Sequence, residues 1–309
     1  MKNHLQPNPT FLLEKEYNRC FSTLNHTGLL SPLPCTKRNG VIGVDGIAYP
    51  IPTLNQMAEL FEQNKTLIDR KISQGFDRLQ LTPIAMPLPR LIDRLKAVIL
   101  ERAAEGKIYQ TRRSPADPLM PVRVNPEKTV WVWDTLDHAI NEDELVYFPQ
   151  EYSSNHQGHT KQEVIHDEKI CAVPGWSVGL IESLPMLPQR GEGQTIGGRK
   201  QLEIGYSPRE YLQLLKMDNY EGETGNILED FIVKFLSRLE ATNEISNDRV
   251  DNNSMWCLGQ YLRIDYAELV PTGWWHREFG RLRLDMHRTG NKRCTKSWGA
   301  STSVRLSYS

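Results

Sequence analysis

A change of period near residue 106 constrains the fold of this chain more than any other feature. Before it, apolar residues recur with the spacing of a helix. In "TLNQMAELFEQNKTLIDRKISQGF", Leu54, Met57, Leu60, Phe61, Leu67, Ile68 and Ile72 keep to one face. Thr53 and Gln56 form a capping box at its start, and Gly75 is a natural stop. In "LPRLIDRLKAVILERAAEG" the stripe is Leu88, Leu91, Ile92, Leu95, Val98 and Ile99, ending at Gly106. Together these segments read as a helical hairpin joined by "QLTPIAMP". Residues 1–50 read as irregular, apart from a short hairpin around Asp45-Gly46.

Past Gly106 the pattern turns strand-like in "KIYQT", "TVWVW", "ELVYFP" and "KICAVPGWSVGLIESL", the last irregular at Pro174-Gly175. "YSSNHQGHTKQE" reads as a polar loop, and "DTLDHAI" as a short helix capped by Asp134. Two further helices have clear starts: Ser207, Pro208 and Glu210 open one, and Asn226 with Glu229 opens the other. In the second, Ile227, Phe231, Phe235, Leu236 and Leu239 form the buried stripe. From Ser254 the chain returns to strands. The expectation is an α+β fold with a helical N-terminal region over 1–110 and a second domain over 111–309. One continuous α+β unit is the alternative.

Charge and cysteine usage narrow the function classes. Lys plus Arg is 37 against 38 for Asp plus Glu, so the global charge calls for neither a polyanion nor a membrane surface. No apolar run reaches the ~18 residues of a membrane span, and the start carries no signal-peptide pattern. Five scattered cysteines without a CxxC pair suggest no disulfide framework, so a cytoplasmic location is the default expectation.

The catalytic signals are weak. His156, His159 and His166 lack helical metal-ligand spacing and read as loop histidines, so no metal or cofactor is expected. "GEGQTIGGRK" lacks the Walker pattern and reads as a turn. Cys257 and Cys294 have no evident base, and the helix from Leu88 reads as a packing element rather than a DNA reader. No catalytic residue is assigned, and a binding role is favoured over an enzymatic one.

The segment "GWWHREFGRLRLDMHRTGNKRCTKSWGASTSVRLSYS" stands apart. From Gly273 onward eight basic residues face two acids, Glu278 and Asp285, a local charge of +6 in a chain whose total is −1. Trp274, Trp275, Phe279 and Trp298 are interleaved. The alternation Arg281, Leu282, Arg283, Leu284 predicts a strand with one apolar and one basic face.

The Gly-Trp approach, the Arg-Leu run, the Gly/Asn turn and the closing "GASTSVRL" resemble the C-terminal end of C-type-lectin-fold domains. The likeness is to the formylglycine-generating-enzyme-like branch, the fold used by variable proteins of diversity-generating retroelements. Upstream stretches, from "VYFPQEYSSNHQGHTK" through "YEGETG", resemble hypothetical proteins of candidate-phylum bacteria to which no activity is assigned. The lectin-fold resemblance covers about the last fifth of the chain.

The late cysteine pair of the oxidising enzyme is not matched, because Cys257 and Cys294 lie far apart. The Glu-Pro-Asn or Gln-Pro-Asp sugar triplet is absent. The resemblance implies a C-type-lectin-like second domain of short twisted strands, with Trp275, Leu282 and Val304 as scaffold. It implies an exposed ligand-binding set of His276, Arg277, Phe279, Arg281, Arg283, Asp285, His287, Arg288, Asn291 and Arg293. The expected partner is a protein or other macromolecule. Nucleic acid stacked on the same basic aromatic segment is the alternative.

Overall fold

A computed structural model describes residues 9–34, 37–248, 253–290 and 296–308, with side chains from residue 13 onward. The fold is α+β.

The N-terminal region opens with a helix, α1 (Pro9–His26), where an irregular segment was expected. Leu13, Glu16, Cys20, Thr23 and Leu24 are its buried positions, at spacings of three and four. Glu16 and Thr23 interrupt the apolar stripe, which hides the period. The Glu16 carboxylate accepts from Arg19 (3.0 Å), Arg78 (2.7 Å) and the Leu79 N–H (3.2 Å), which makes its burial tolerable. Three short strands follow, β1 (Ser31–Pro32), β2 (Asn39–Ile42) and β3 (Ala48–Pro50). The expected hairpin at Asp45-Gly46 joins the last two, with Gly46 at φ +76°.

The first predicted helix forms with its Thr53–Gln56 capping box, but Asn64 divides it into α2 (Leu54–Gln63) and α3 (Lys65–Ser73). The Asn64 amide donates to the carbonyls of Leu60 and Ser307, both at 2.9 Å, fixing the break to the far end of the chain. The connection before α4 (Leu88–Ala104) contains a strand, β4 (Arg78–Thr82), so the two helical segments are not a simple hairpin.

Beyond residue 106, "KIYQT" makes only isolated bridges. There follow β5 (Val130–Val132), α5 (Asp134–Asn141), β6 (Val146–Tyr147) and α6 (Lys161–His166). Helix α5 has Trp133 at its cap position and Asp134 in its first turn. Helix α6 lies in the stretch expected to be loop, opened by a Thr160–Glu163 capping box. Next come β7 (Ser177–Ile181), the hairpin β8 (Thr195–Ile196) and β9 (Arg199–Lys200), and α7 (Pro208–Leu215) with its expected Ser207 cap. Then β10 (Glu223–Gly225) leads into α8 (Leu228–Thr242). The tail forms β11 (Ser254–Trp256), β12 (Gln260–Ile264), β13 (Ala267–His276), β14 (Arg281–Arg288), β15 (Trp298–Ala300) and β16 (Thr302–Arg305).

Among the described residues two larger sheets stand out. One is antiparallel in the order β10-β16-β7-β4; the other runs β15-β11-β13-β12-β6, with β14 on β13 and β5 on β14. Helix α8 touches β4 of the first and β13 of the second, so Phe231, Phe235, Leu236 and Leu239 fill the space between them. Gly273 on β13 makes the approach possible: a Cβ there would lie 2.3 Å from the Phe231 ring. Strand β4 pairs with β7, and the main core holds side chains from both sides of residue 110.

The cap of α8 falls one residue later than expected. The Ile227 N–H donates to Asp230 (3.1 Å), while Asn226 donates to Ser301 (2.7 Å) and Glu229 takes up a tertiary role. Glu229 accepts from Lys161 (3.0 Å), Tyr147 (2.8 Å) and Gln260 (2.9 Å), all buried. Asp230 accepts from Thr82 (2.7 Å) and from Arg305 of the last strand. Two acids at a helix N-terminus suit the positive end of its dipole. Here they also tie α8 to four strands.

Candidate functional site

The pairing of β13 with β14 sorts the Arg-Leu alternation onto two faces. Trp275 sits opposite Leu282, Gly273 opposite Leu284, and Pro271 opposite Met286. Trp275 and Leu282 are fully buried, and Phe235 of α8 stacks on Trp275 at 6.4 Å between centroids. The other face carries the pairs His276–Arg281, Trp274–Arg283, Thr272–Asp285 and Val270–His287. Strand β5, parallel to β14, adds Trp131 beside Arg283.

Arg283 is the centre of this face. Its guanidinium lies 4.2 Å from the Trp131 ring centroid and 5.1 Å from that of Trp274, held between two indoles. It also donates to Asp285 at 2.9 Å, yet its side chain stays 21% exposed. Such a cation–π pair contributes about 0.5–2 kcal/mol, more as water is removed. Arg281 continues the layer, 4.9 Å from Phe279 and 5.6 Å from Trp131. Desolvation, then the like charge of Arg283, pulls the Arg281 pKa down, though a guanidinium keeps its proton at neutral pH.

The turn joining the strands is pinned. Gly280 adopts φ +58°, and its carbonyl accepts from Asn125 at 2.7 Å. A Cβ at Gly280 would stand 2.7 Å from the Arg123 carbonyl oxygen. His276 packs on Phe279 at 4.4 Å, and Arg277 donates to Asp248 at 2.8 Å. The turn therefore presents Phe279, 47% exposed, from a fixed base.

The rest of the face is covered. Trp298 stands 4.7 Å from Trp256, 4.9 Å from Trp274 and 4.6 Å from His287, ring to ring. Tyr152, Leu202 and Tyr211 close over this group in a second apolar cluster. Arg209 at the start of α7 locks the cover down by donating to Glu268, Thr289 and the Tyr152 carbonyl. Inside it, Trp256 Nε1, Thr272 Oγ1 and Ser254 Oγ have no hydrogen-bond partner among the described residues.

The exposed set expected from the sequence thus divides. Phe279 and Arg288 are exposed; His276, Arg277, Arg281, Arg283 and His287 are half-buried. Asp285, expected at the surface, is 7% exposed, because it lies at the covered end and serves as the ion-pair partner of Arg283. Asn291 and Arg293 lie outside the described residues. The +6 charge is also redistributed: Arg277, Arg283 and Arg305 pair with Asp248, Asp285 and Asp230.

Trp131 was not singled out in the sequence. A parallel pairing between positions some 150 residues apart leaves no local trace, and only "TVWVW" as a strand was legible. Of the scaffold residues, Val304 is buried like Trp275 and Leu282.

The other sequence candidates are placed apart. His156 packs on Tyr261 and His166 lies 3.5 Å from Asp45, while His159 bridges to Tyr147 through its backbone. Cys257 is fully buried, and burial pushes its thiol pKa well up, so it is poorly placed to act as a nucleophile. Cys294 lies outside the described residues. "GEGQTIGGRK" contains the β8–β9 hairpin, turned at Gly197-Gly198.

Comparison with known proteins finds no family model, no curated protein and no solved structure that matches the chain. Among the described residues no helix is long and apolar enough to cross a membrane.

Proposed function

We propose that this is a recognition protein that presents the open end of the β5–β14–β13 face to a protein or other macromolecular ligand. The observation that carries the reading is Arg283, held between Trp131 and Trp274 while still reaching solvent. Arg281 and Phe279 extend the surface around it, whereas the exposed Arg288 falls on the other face of β14. Trp and Arg anchor most interface hot spots, and a side chain already ordered before binding gives up less entropy when the ligand arrives. The scaffold in this reading is C-type-lectin-like, and the segment after Gly273 is the contact segment of a retroelement variable protein. The described cysteines Cys20, Cys171 and Cys257 are buried free thiols, in keeping with work in the cytoplasm.

Pairing of three of the eight cations with acids favours a protein ligand over a phosphate backbone. The test is a binding screen of the full chain against an array of bacterial proteins, repeated with Arg281→Ser and Arg283→Lys. Lysine keeps the charge but loses the planar stack. A specific ligand should bind the native chain and lose at least about tenfold in affinity with Arg283→Lys. Equal binding by both variants would place the contact elsewhere. A single-stranded oligonucleotide bound with affinity falling steeply against log salt would support the nucleic-acid alternative instead. At the level of the gene, the retroelement reading expects a neighbouring reverse transcriptase and a near-copy of the 3′ end differing at adenines.

A further inference from the structure

On the opposite side of β11 from the aromatic face, a cavity of about 190 Å³ opens between α8, β4 and the segment following β7. Its polar lining includes Gln80, Glu182, Lys234, Arg238 and Ser246. Several polar atoms of this lining have no partner among the described residues, although Gln80 Nε2 donates to Thr82 (3.1 Å) and to the Asp230 carbonyl (3.2 Å). Gln80 and Ser246 are each only 5% and 5% exposed, yet Gln80 Oε1 and Ser246 Oγ lack hydrogen-bond partners. The Arg238 Nε–H is likewise buried without an acceptor. Lys234 makes no hydrogen bond or ion pair among the described residues. Buried polar groups are normally satisfied, so a cluster of unsatisfied ones around a cavity calls for a partner.

The charge around the cavity is one-sided. Arg19 and Arg78 line it from α1 and β4, and Lys234 and Arg238 from α8; Glu182 is the acid in the wall. Glu182 is already engaged by Arg199 (3.2 Å) and Gln201 (3.2 Å). Arg19 and Arg78 are bound to Glu16, and Arg238 donates to Glu244 through another nitrogen. Among the described residues the Lys234 ammonium, the Arg238 Nε–H and the Ser246 hydroxyl are uncommitted donors. The uncommitted acceptor is Gln80 Oε1.

We infer that this cavity is a binding site for a small hydroxycarboxylate. Its carboxylate sits on Lys234 and the Arg238 Nε–H, and its hydroxyl donates to Gln80 Oε1. Desolvation brings the Lys234 pKa down to about 8, with Glu182 opposing and Arg238 reinforcing the fall. An anion beside the amine favours its charged form, so binding takes up a proton as the pH rises through about 8.

The experiment is calorimetric titration of the full chain with glycerate, lactate, acetate and inorganic phosphate at pH 7 and pH 9. Glycerate or lactate should bind one to one and more tightly than acetate, with affinity about tenfold weaker at pH 9, where Lys234 is mostly neutral. Lys234→Met should lose at least about tenfold in affinity at pH 7 with an unchanged circular dichroism spectrum. Lys234→Arg, the milder change, keeps its charge at both pH values and should bind without the pH dependence. The proposal is overturned if no hydroxycarboxylate binds at millimolar concentration, if phosphate alone binds, or if Lys234→Arg retains the native pH profile.

Discussion

Arg283 is held by three partners that differ in kind: the rings of Trp131 and Trp274 from the strands on either side, and the Asp285 carboxylate along its own strand. Replacing it by leucine leaves Asp285 buried without its ion pair, at an expected cost of about 1–3 kcal/mol in urea unfolding. Arg281→Ser, which removes no carboxylate pair in the described structure, should cost only the about 0.5–1 kcal/mol of its cation–π contacts with Phe279 and Trp131. The pair separates a residue that compensates a buried acid from one held by ring contacts alone. The two-residue period was legible because it depends on the strand alone. The indole that completes the stack was not, since it arrives from another part of the chain. Acid sensitivity has a residue-scale origin as well. Burial would raise the Glu244 pKa, but hydrogen bonds from Arg112 and the charges of Arg112 and Arg238 hold it below its ordinary value. Its contribution to stability is therefore full above the unfolded value of about 4.3 and is lost as pH falls through the lower folded value. Glu244→Gln should lower stability at pH 7 and flatten the acid limb of a melting-temperature profile.

Helix α8 shows how far local rules reach. Its apolar stripe is readable from spacing, and both Asn226–Glu229 and Ile227–Asp230 place an acid three residues after a cap position. What decides between them is tertiary: Ser301 takes Asn226, while Lys161, Tyr147 and Gln260 take Glu229. Asp230→Asn removes the charge facing Arg305 and should cost about 3–5 kcal/mol, seen as a lower melting temperature. The closeness of α8 to β13 rests on Gly273. Gly273→Ala should cost about 1–3 kcal/mol through overpacking on Phe231, and Phe231→Leu in the same chain should recover part of that loss. Recovery is the outcome that assigns the cost to this contact rather than to the strand backbone. Helix α1 went unread for the opposite reason: a buried Glu16, whose partners beyond Arg19 of the same helix are Arg78 and Leu79 from β4, looks like a polar position until the strand is in place.

Across the whole molecule, packing spans the change of period at residue 106, with four strands before it and four α-helices after it among the described residues. Strand β4 lies beside β7, β16 lies between β7 and β10, and α8 joins both sheets. A fragment of residues 1–110 would leave β4 without β7 and α1 without α8. It should show no cooperative thermal transition by circular dichroism, whereas the full chain should melt in a single one. The final residues are divided in the same way, β15 entering the sheet of the aromatic face and β16 the other. The three indoles of Trp256, Trp274 and Trp298, the first two 4.7 and 4.9 Å from the third, have a further consequence. At that separation their excited states couple, giving the folded chain a near-ultraviolet signature that depends on the angle between the rings. Trp131, beside the open surface, reports on a different neighbourhood. Because Trp274 belongs both to this group and to the indole pair holding Arg283, occupancy of the surface should be felt in the coupled signal as well as at Trp131, without attaching a dye.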